Sequence, residues 1–275
     1  MRINGFVVHG AVTAAVFTSG IGAAVVGAGG GSVTLAGPRV LRLIQNAPAA
    51  LSSFPALDMS MKFTVHANGH SGTVTEAAHL SSDGKTGTFA VRMPGGGNAL
   101  SGLGVNNTVY MRASPQAAAM FGKPWVGFSF TPGSSASSTQ APTGSDAMSY
   151  LQLMPGATGE VQQFGHDKIS GVRTTHYRVD VDLLKAEQRM PAELQHASAG
   201  QLEQLGLKTL PIDVWLDAQN RIRQEKFSFH AQDVSMDCVV LISGSAKPAR
   251  VTPPPAASVH FVSTAAELFQ DATQP

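Results

Sequence analysis

Charge and cysteine are what this chain has least of. Of its 275 residues only 13% are charged, and the formal net charge is +1. That leaves no basic stripe of the kind a nucleic-acid surface requires, and no nucleic acid is expected as a partner. The single cysteine, Cys238, excludes an intrachain disulfide and a zinc site built from cysteines. It lies in SMDCVVLIS, an apolar, strand-like run in which a thiol is expected to be buried. One cysteine leaves the redox compartment open.

Catalytic motifs are lacking as well. The sequence contains no Gly-x-Ser-x-Gly, no His-Glu-x-x-His, no phosphate-binding loop and no dinucleotide fingerprint. GAGGGS at 27–32 is rich in glycine but follows an apolar leader rather than a strand, so it reads as a spacer. His66 and His70 have metal-like spacing, yet the intervening Ala-Asn-Gly makes a turn, and no metal is expected there. His176 is expected to face solvent. Asp180, Asp182, Asp213 and Asp217 occupy the polar phase of alternating segments, where solvated carboxylates are the ordinary case. Neither an enzymatic activity nor a cofactor is expected.

Charge is missing altogether from Phe6 to Gly31, with Arg2 the only positive charge before that run. Small residues at 26–29, VGAG, suit cleavage after Ala28. Residues 1–31 therefore read as an export signal, either cleaved or kept as an uncleaved, weakly hydrophobic anchor. Both outcomes place the body of the chain outside the cytoplasmic membrane. The length suits one large domain.

What the rest of the chain has in abundance is alternation. HYRVDVDLL at 176–184 alternates apolar with polar residues, and LPIDVWLDAQNRIRQEKFSF at 210–229 repeats the habit, with Leu210, Ile212, Val214 and Leu216 on one side and Asp213 and Asp217 on the other, the period of a half-buried strand. In LDMSMKFTVHA, Met59, Met61, Phe63 and Val65 oppose Ser60, Lys62, Thr64 and His66. Asp83-Gly84 marks a hairpin, and Ile169 to Gly171 a second turn. About ten antiparallel strands are counted this way. Helices are expected from Pro38, over DAMSYLQLM at 146–154, between about 183 and 205, and over STAAELFQD at 263–271. PGGGNALSGLG at 94–104 and the serine-rich 131–145 read as loops, and PARVTPPPAAS at 248–258 as a stiff linker. A sheet of that size must curl, with helices covering its concave face, giving an α+β fold.

The succession NNTVYMR, GKPWVGFSF, GVRTTHYRVDVDL and LPIDVWLDAQNRIRQEKFSF, spread over most of residues 39–245, resembles the LppX/LprA/LprF/LprG family of actinobacterial lipoproteins. The resemblance implies a LolA-like antiparallel half-barrel over 32–245 closed by helices over a hydrophobic cavity, with 246–275 a proline-rich linker and C-terminal helix. It also implies binding and transport of acylated lipids, glycolipids or lipoglycans outside the membrane; a monomer is expected, with a membrane transporter as a candidate partner. One departure is clear. Where the family carries a lipobox cysteine, VVGAGGGS has glycine at position 29, so lipid anchoring by that route is impossible.

The residues on which this reading rests are the apolar phase of the strands: Met61, Phe63, Val65, Phe89, Val91, Phe128, Phe130, Tyr177, Val179, Val214, Leu216 and Phe227. Composition alone allows a solid core beneath covering helices, whereas the resemblance implies a lipid-binding cavity face. Tyr110, Trp125, Tyr177 and Trp215 are placed either at the cavity rim, meeting a head group, or in packing at the sheet edges. An envelope sensor that uses the same sheet to bind a membrane protein is the alternative to a carrier, and a lipid-modifying enzyme ranks last.

Overall fold

The computed structural model describes residues 33–67, 69–93, 100–105, 107–129, 151, 153–189, 206–231, 234–263 and 267. Thirteen strands among them build one open sheet. They are β1 (Thr34–Ala36), β2 (Ala56–Ala67), β3 (His70–Ser81), β4 (Thr86–Arg92), β5 (Leu100–Val105), β6 (Thr108–Arg112), β7 (Trp125–Ser129), β8 (Ala157–Ile169), β9 (Val172–Asp182), β10 (Thr209–Asp217), β11 (Ile222–Ala231), β12 (Val234–Ser245) and β13 (Val259–Phe261). Their spatial order is β1-β8-β9-β10-β11-β12-β2-β3-β4-β5-β6-β7-β13. Every pairing is antiparallel except β13 with β7. Two meanders, β2 to β7 and β8 to β12, are thus joined side by side through the long β12–β2 ladder, Val234↔Ala67 to Ser245↔Ala56.

The turns follow from local chemistry. At the β3–β4 hairpin Gly84 takes φ +72° and donates its N–H to Ser81 O, while the Asp83 carboxylate accepts from Ser81 Oγ and Lys85 N. At β8–β9, Ser170 and Gly171 both have positive φ, as a two-residue hairpin of the primed type demands. The β10–β11 turn is organised by Asp217, whose Oδ1 accepts from the N–H groups of Gln219 and Arg221.

Three strands exceed the ten expected from alternation, and each escapes that signal for its own reason. With three residues apiece, β1 and β13 are too short to display a period. The third, β5, occupies part of the segment read as a loop, because Gly102 and Gly104 suppress its pattern. Gly102 is there for close approach: a Cβ would lie 2.5 Å from Phe89 Cζ and 2.5 Å from Tyr110 O. Past the proline-rich segment the chain rejoins the sheet as β13, pinned by Lys123 Nζ, which donates to Val259 O at 2.9 Å.

Helix α1 (Pro38–Ala50) starts with proline in its first turn, as read from the sequence, and Val40 N–H bonds Gly37 O. Its Ile44 and Ala47 sink into the core, and Gln45 Nε2 donates to Ala157 O at 2.8 Å, docking the helix on β8. Helix α2 (Pro115–Phe121) is capped by Ser114, whose Oγ accepts from Ala117 N. Helix α3 (Leu183–Arg189) follows β9 directly, and Ala186 packs so closely on the turn Met154–Gly156 that a Cβ at Gly156 would fall 2.5 Å away. The helix expected over 146–154, the continuation towards 205, the last helix, the loop at 131–145 and the 1–31 leader lie largely or wholly outside the described residues. Among the described residues, no helix is long and apolar enough to cross a membrane.

Candidate functional site

One face of the sheet carries the core, and the pairing registers show how its side chains line up. Gln163, Tyr177, Val214, Glu225, Val240, Met61, Glu76, Val91 and Leu100 oppose one another in turn across β8-β9-β10-β11-β12-β2-β3-β4-β5. A parallel row runs Val179, Ile212, Phe227, Cys238, Phe63, Val74. A third contains Met59, Ala78, Phe89, Gly102, Met111 and Val126. All the apolar residues picked from the sequence fall on this face except Phe130, which lies outside the described residues. Met61, Phe89, Val91, Val179, Val214, Leu216 and Phe227 are buried, whereas Phe63, Val65, Phe128 and Tyr177 are half-buried.

The half-buried members are not scattered. Phe63 sits opposite Val74, Val65 opposite Met236, and Met236 opposite Phe229, and each of these five keeps partial contact with solvent. They form a contiguous apolar patch where the β2–β3 and β11–β12 hairpins end, continuous with the buried rows below. Four of the five, Phe63, Val74, Phe229 and Met236, pack against the core on their inner side.

Two carboxylates interrupt the apolar rows, and sequence reasoning missed both. Glu225 is 0% exposed and Glu76 4%. Burial pushes the Glu225 carboxyl up to about 8, so it is held as a neutral acid near neutral pH. The nearby Glu225 charge adds to burial in pushing the Cys238 thiol up. A signal was present: Glu225 shares the phase of Phe227 and Phe229, and Glu76 that of Ala78 and Leu80.

On the opposite face the expected solvated side chains prove to be packed. His176 has 17% of its side chain exposed, stacked between Trp215 (4.1 Å between ring centroids) and Phe164 (4.8 Å). Its Nε2 lies 2.7 Å from Asp213 Oδ1, and Arg178 grips the same carboxylate through Nε and Nη2. Burial works to raise the Asp213 pKa, but hydrogen bonds from His176 and Arg178 outweigh it and hold the carboxyl below the usual range. Asp217 is likewise buried. Desolvation opposes its ionisation, while the N–H groups of Arg221 and Gln219 and the guanidinium groups of Arg221 and Arg223 lower its pKa. These aspartates were expected to be solvated. They are enclosed because Trp215, Phe164 and Phe54 lay aromatic surface over the polar face, with Arg221 and Arg223 stacked on Phe54 at 4.3 and 5.1 Å. Asp180 is exposed, and Asp182 intermediate, as expected for a surface.

The His176 cluster pairs an imidazole with a carboxylate, and its other partners are a guanidinium, aromatic rings and the Asp167 carboxylate. These contacts tie β8, β9 and β10 together on this face. Trp215 therefore packs in mid-sheet, its Nε1 donating to Asp167 Oδ2 at 2.8 Å. Trp125 and Tyr110 pack beside the β13 edge, Trp125 under Arg112 and Tyr110 against Phe261. Only Tyr177 of the four aromatic candidates points to the core face. Among the described residues no group of three or more His, Cys, Asp or Glu side chains could hold a metal ion. A cleft of about 580 Å³ lies apart from the apolar rows, between Gln45 and Asn46 of α1, Asp83 of the hairpin turn and Arg189.

No family model matches this chain, and no curated protein matches it. Among solved structures it is similar to the lipoprotein LppX of Mycobacterium tuberculosis, with 12% identity and a TM-score of 0.48 over 79% of this chain and 100% of that one. It is similar to LprF of Mycobacterium bovis, with 15% identity and a TM-score of 0.45 over 81% of this chain and 99% of that one. A LolA superfamily protein of Nitrosomonas europaea shows 8% identity and a TM-score of 0.29 over 77% of this chain and 94% of that one.

Proposed function

We propose that the chain binds acylated lipids, glycolipids or lipoglycans on its apolar sheet face and carries them outside the cytoplasmic membrane. The observation that carries this reading is the half-buried apolar patch of Phe63, Val65, Val74, Phe229 and Met236, which leads into buried rows of mostly aliphatic and aromatic side chains. A face of that kind has weak directionality and accepts methylene groups at about 0.8 kcal/mol each, so ten of them contribute roughly 8 kcal/mol before ordering costs. In this reading Met61, Phe63, Val65, Val91, Tyr177, Val214 and Phe227 contact the acyl chains. The apolar, charge-free stretch from Phe6 to Gly31 is the export device. A membrane transporter delivers the cargo, the protein works as a monomer, and no catalytic step is part of the function.

Native mass spectrometry tests this on the full chain, expressed with export in a bacterial host. The expected result is a mass excess that disappears on denaturation and is identified as lipid in the organic extract. The bare polypeptide mass, unchanged after incubation with membrane lipid and with fluorescent fatty acid, would overturn it.

A further inference from the structure

Glu225 stands at the middle of β11, opposite Val214 on one side and Val240 on the other. Its side chain is 0% exposed, and neither carboxyl oxygen has a hydrogen-bond partner among the described residues. A buried carboxyl left in that state is costly, and a leucine in its place would avoid the cost. Arg223, two residues away on the same strand, is committed to Asp217 at 2.9 Å, and the adjacent Lys226 lies on the opposite, exposed phase of β11. Three inter-strand steps of roughly 4.8 Å each separate Glu225 from Glu76 along the same row, with Val240 and Met61 between them.

We infer that Glu225 is a hydrogen-bonding anchor inside the lipid site, donating from its carboxyl group to an ester-carbonyl or hydroxyl oxygen of a bound acylglycerol. The inference rests on the lipid-binding reading above and specifies its cargo as one that carries an uncharged oxygen acceptor between its acyl chains. The apolar neighbours favour this partner. A neutral acid and an ester can be brought together without desolvating a full charge, whereas an ammonium ligand would need two charges stripped of water. The same contact supplies the missing partner of the carboxyl, so ligand binding removes a penalty that the empty protein carries.

The test uses the full chain and three probes that compete with a fluorescent fatty acid: dipalmitoylglycerol, octadecane and octadecylamine. Glu225→Leu is expected to weaken dipalmitoylglycerol by about tenfold without weakening octadecane, and Glu225→Gln, whose amide still donates, to bring dipalmitoylglycerol back to within about threefold. Folding is not at risk in the leucine variant, which removes a buried polar group and should unfold at a higher temperature. As a second readout, the infrared carbonyl band of the protonated carboxyl, assigned by its loss in Glu225→Gln, should move to lower frequency when dipalmitoylglycerol binds. Equal loss of dipalmitoylglycerol and octadecane, no loss of either, a selective loss of octadecylamine alone, or an unmoved carbonyl band would each overturn the anchor. If the unaltered chain takes up none of the probes, the lipid-binding reading falls and takes the anchor with it. If it takes up dipalmitoylglycerol and octadecane and Glu225→Leu is indifferent, only the anchor falls.

Discussion

His176 Nε2 approaches Asp213 Oδ1 to 2.7 Å across the β9–β10 ladder, while Arg178 holds both oxygens of the same carboxylate. Removing that carboxylate leaves an imidazole and a guanidinium, both largely enclosed, without their common acceptor. Asp213→Ala is expected to cost about 2–3 kcal/mol, read as a shift in the urea midpoint at constant slope. Because the folded pKa of Asp213 is lowered from 3.8, its contribution is present above that value and lost as pH falls below it. The gap between Asp213→Ala and the parent should therefore narrow in acid, and a gap independent of pH would sink this account.

Glu225 acts in the opposite direction. Its carboxyl has a folded pKa of about 8 against a reference of 4.5, so between those values the native state holds a proton that the unfolded chain releases. The slope of unfolding free energy with pH follows protons bound in the unfolded minus the native state, so it is negative here. The stability associated with protonated Glu225 is present below pH 4.5 and is lost as pH rises towards about 8. Chemical denaturation at a series of pH values should show this decline in the parent and a flatter profile in Glu225→Gln. Parallel profiles would mean that Glu225 is ionised, and solvated, in the native state.

Gly244 has no room for a side chain. A Cβ there would overlap the Phe54 ring, and that ring carries the guanidinium groups of Arg221 and Arg223. Gly244→Ala must displace the ring and disturb the Asp217 network behind it, at about 1–3 kcal/mol. Thermal unfolding measures this directly, and an unchanged midpoint would show that Phe54 moves aside freely.

The wet apolar patch offers a way to block binding without breaking the fold. Val65 is half-buried opposite Met236, so tryptophan at position 65 fills space that the proposed ligand would occupy while its far edge can still reach solvent. Val65→Trp is expected to reduce fluorescent fatty-acid uptake by about tenfold, which corresponds to roughly 1.4 kcal/mol, with little change in unfolding midpoint. Undiminished uptake by a folded Val65→Trp would remove this patch from the binding site.

Much of the architecture was legible because alternation is a local property. Met59, Met61, Phe63 and Val65 share a face for the same geometric reason that Tyr177, Val179 and Val181 do, and the Asp83-Gly84 and Ser170-Gly171 turns announce themselves by residue type. Strand β5 was hidden by the glycine that lets the Phe89 ring lie over it, and β1 and β13 by their brevity. The polar phase misled in a different way. Asp213 and His176 were assigned to solvent because they occupy the polar phase of their strands, and nothing in the chain around His176 reveals that Phe164 of β8 and Trp215 of β10 stack on its two sides.

By itself, then, the sequence determined which side of each strand a residue occupies, where the hairpins turn, and that Cys238 can form no disulfide within the chain. Tertiary structure alone decided which of those residues meet. Phe227, Cys238 and Phe63 become neighbours only through the β11–β12–β2 register, and the same register sets Glu225 between Val214 and Val240 with no hydrogen-bond partner among the described residues. The physical reason is that side-chain direction depends on backbone pleat, a property of consecutive residues, whereas burial and hydrogen-bond satisfaction depend on which strands lie alongside, a property of the whole sheet.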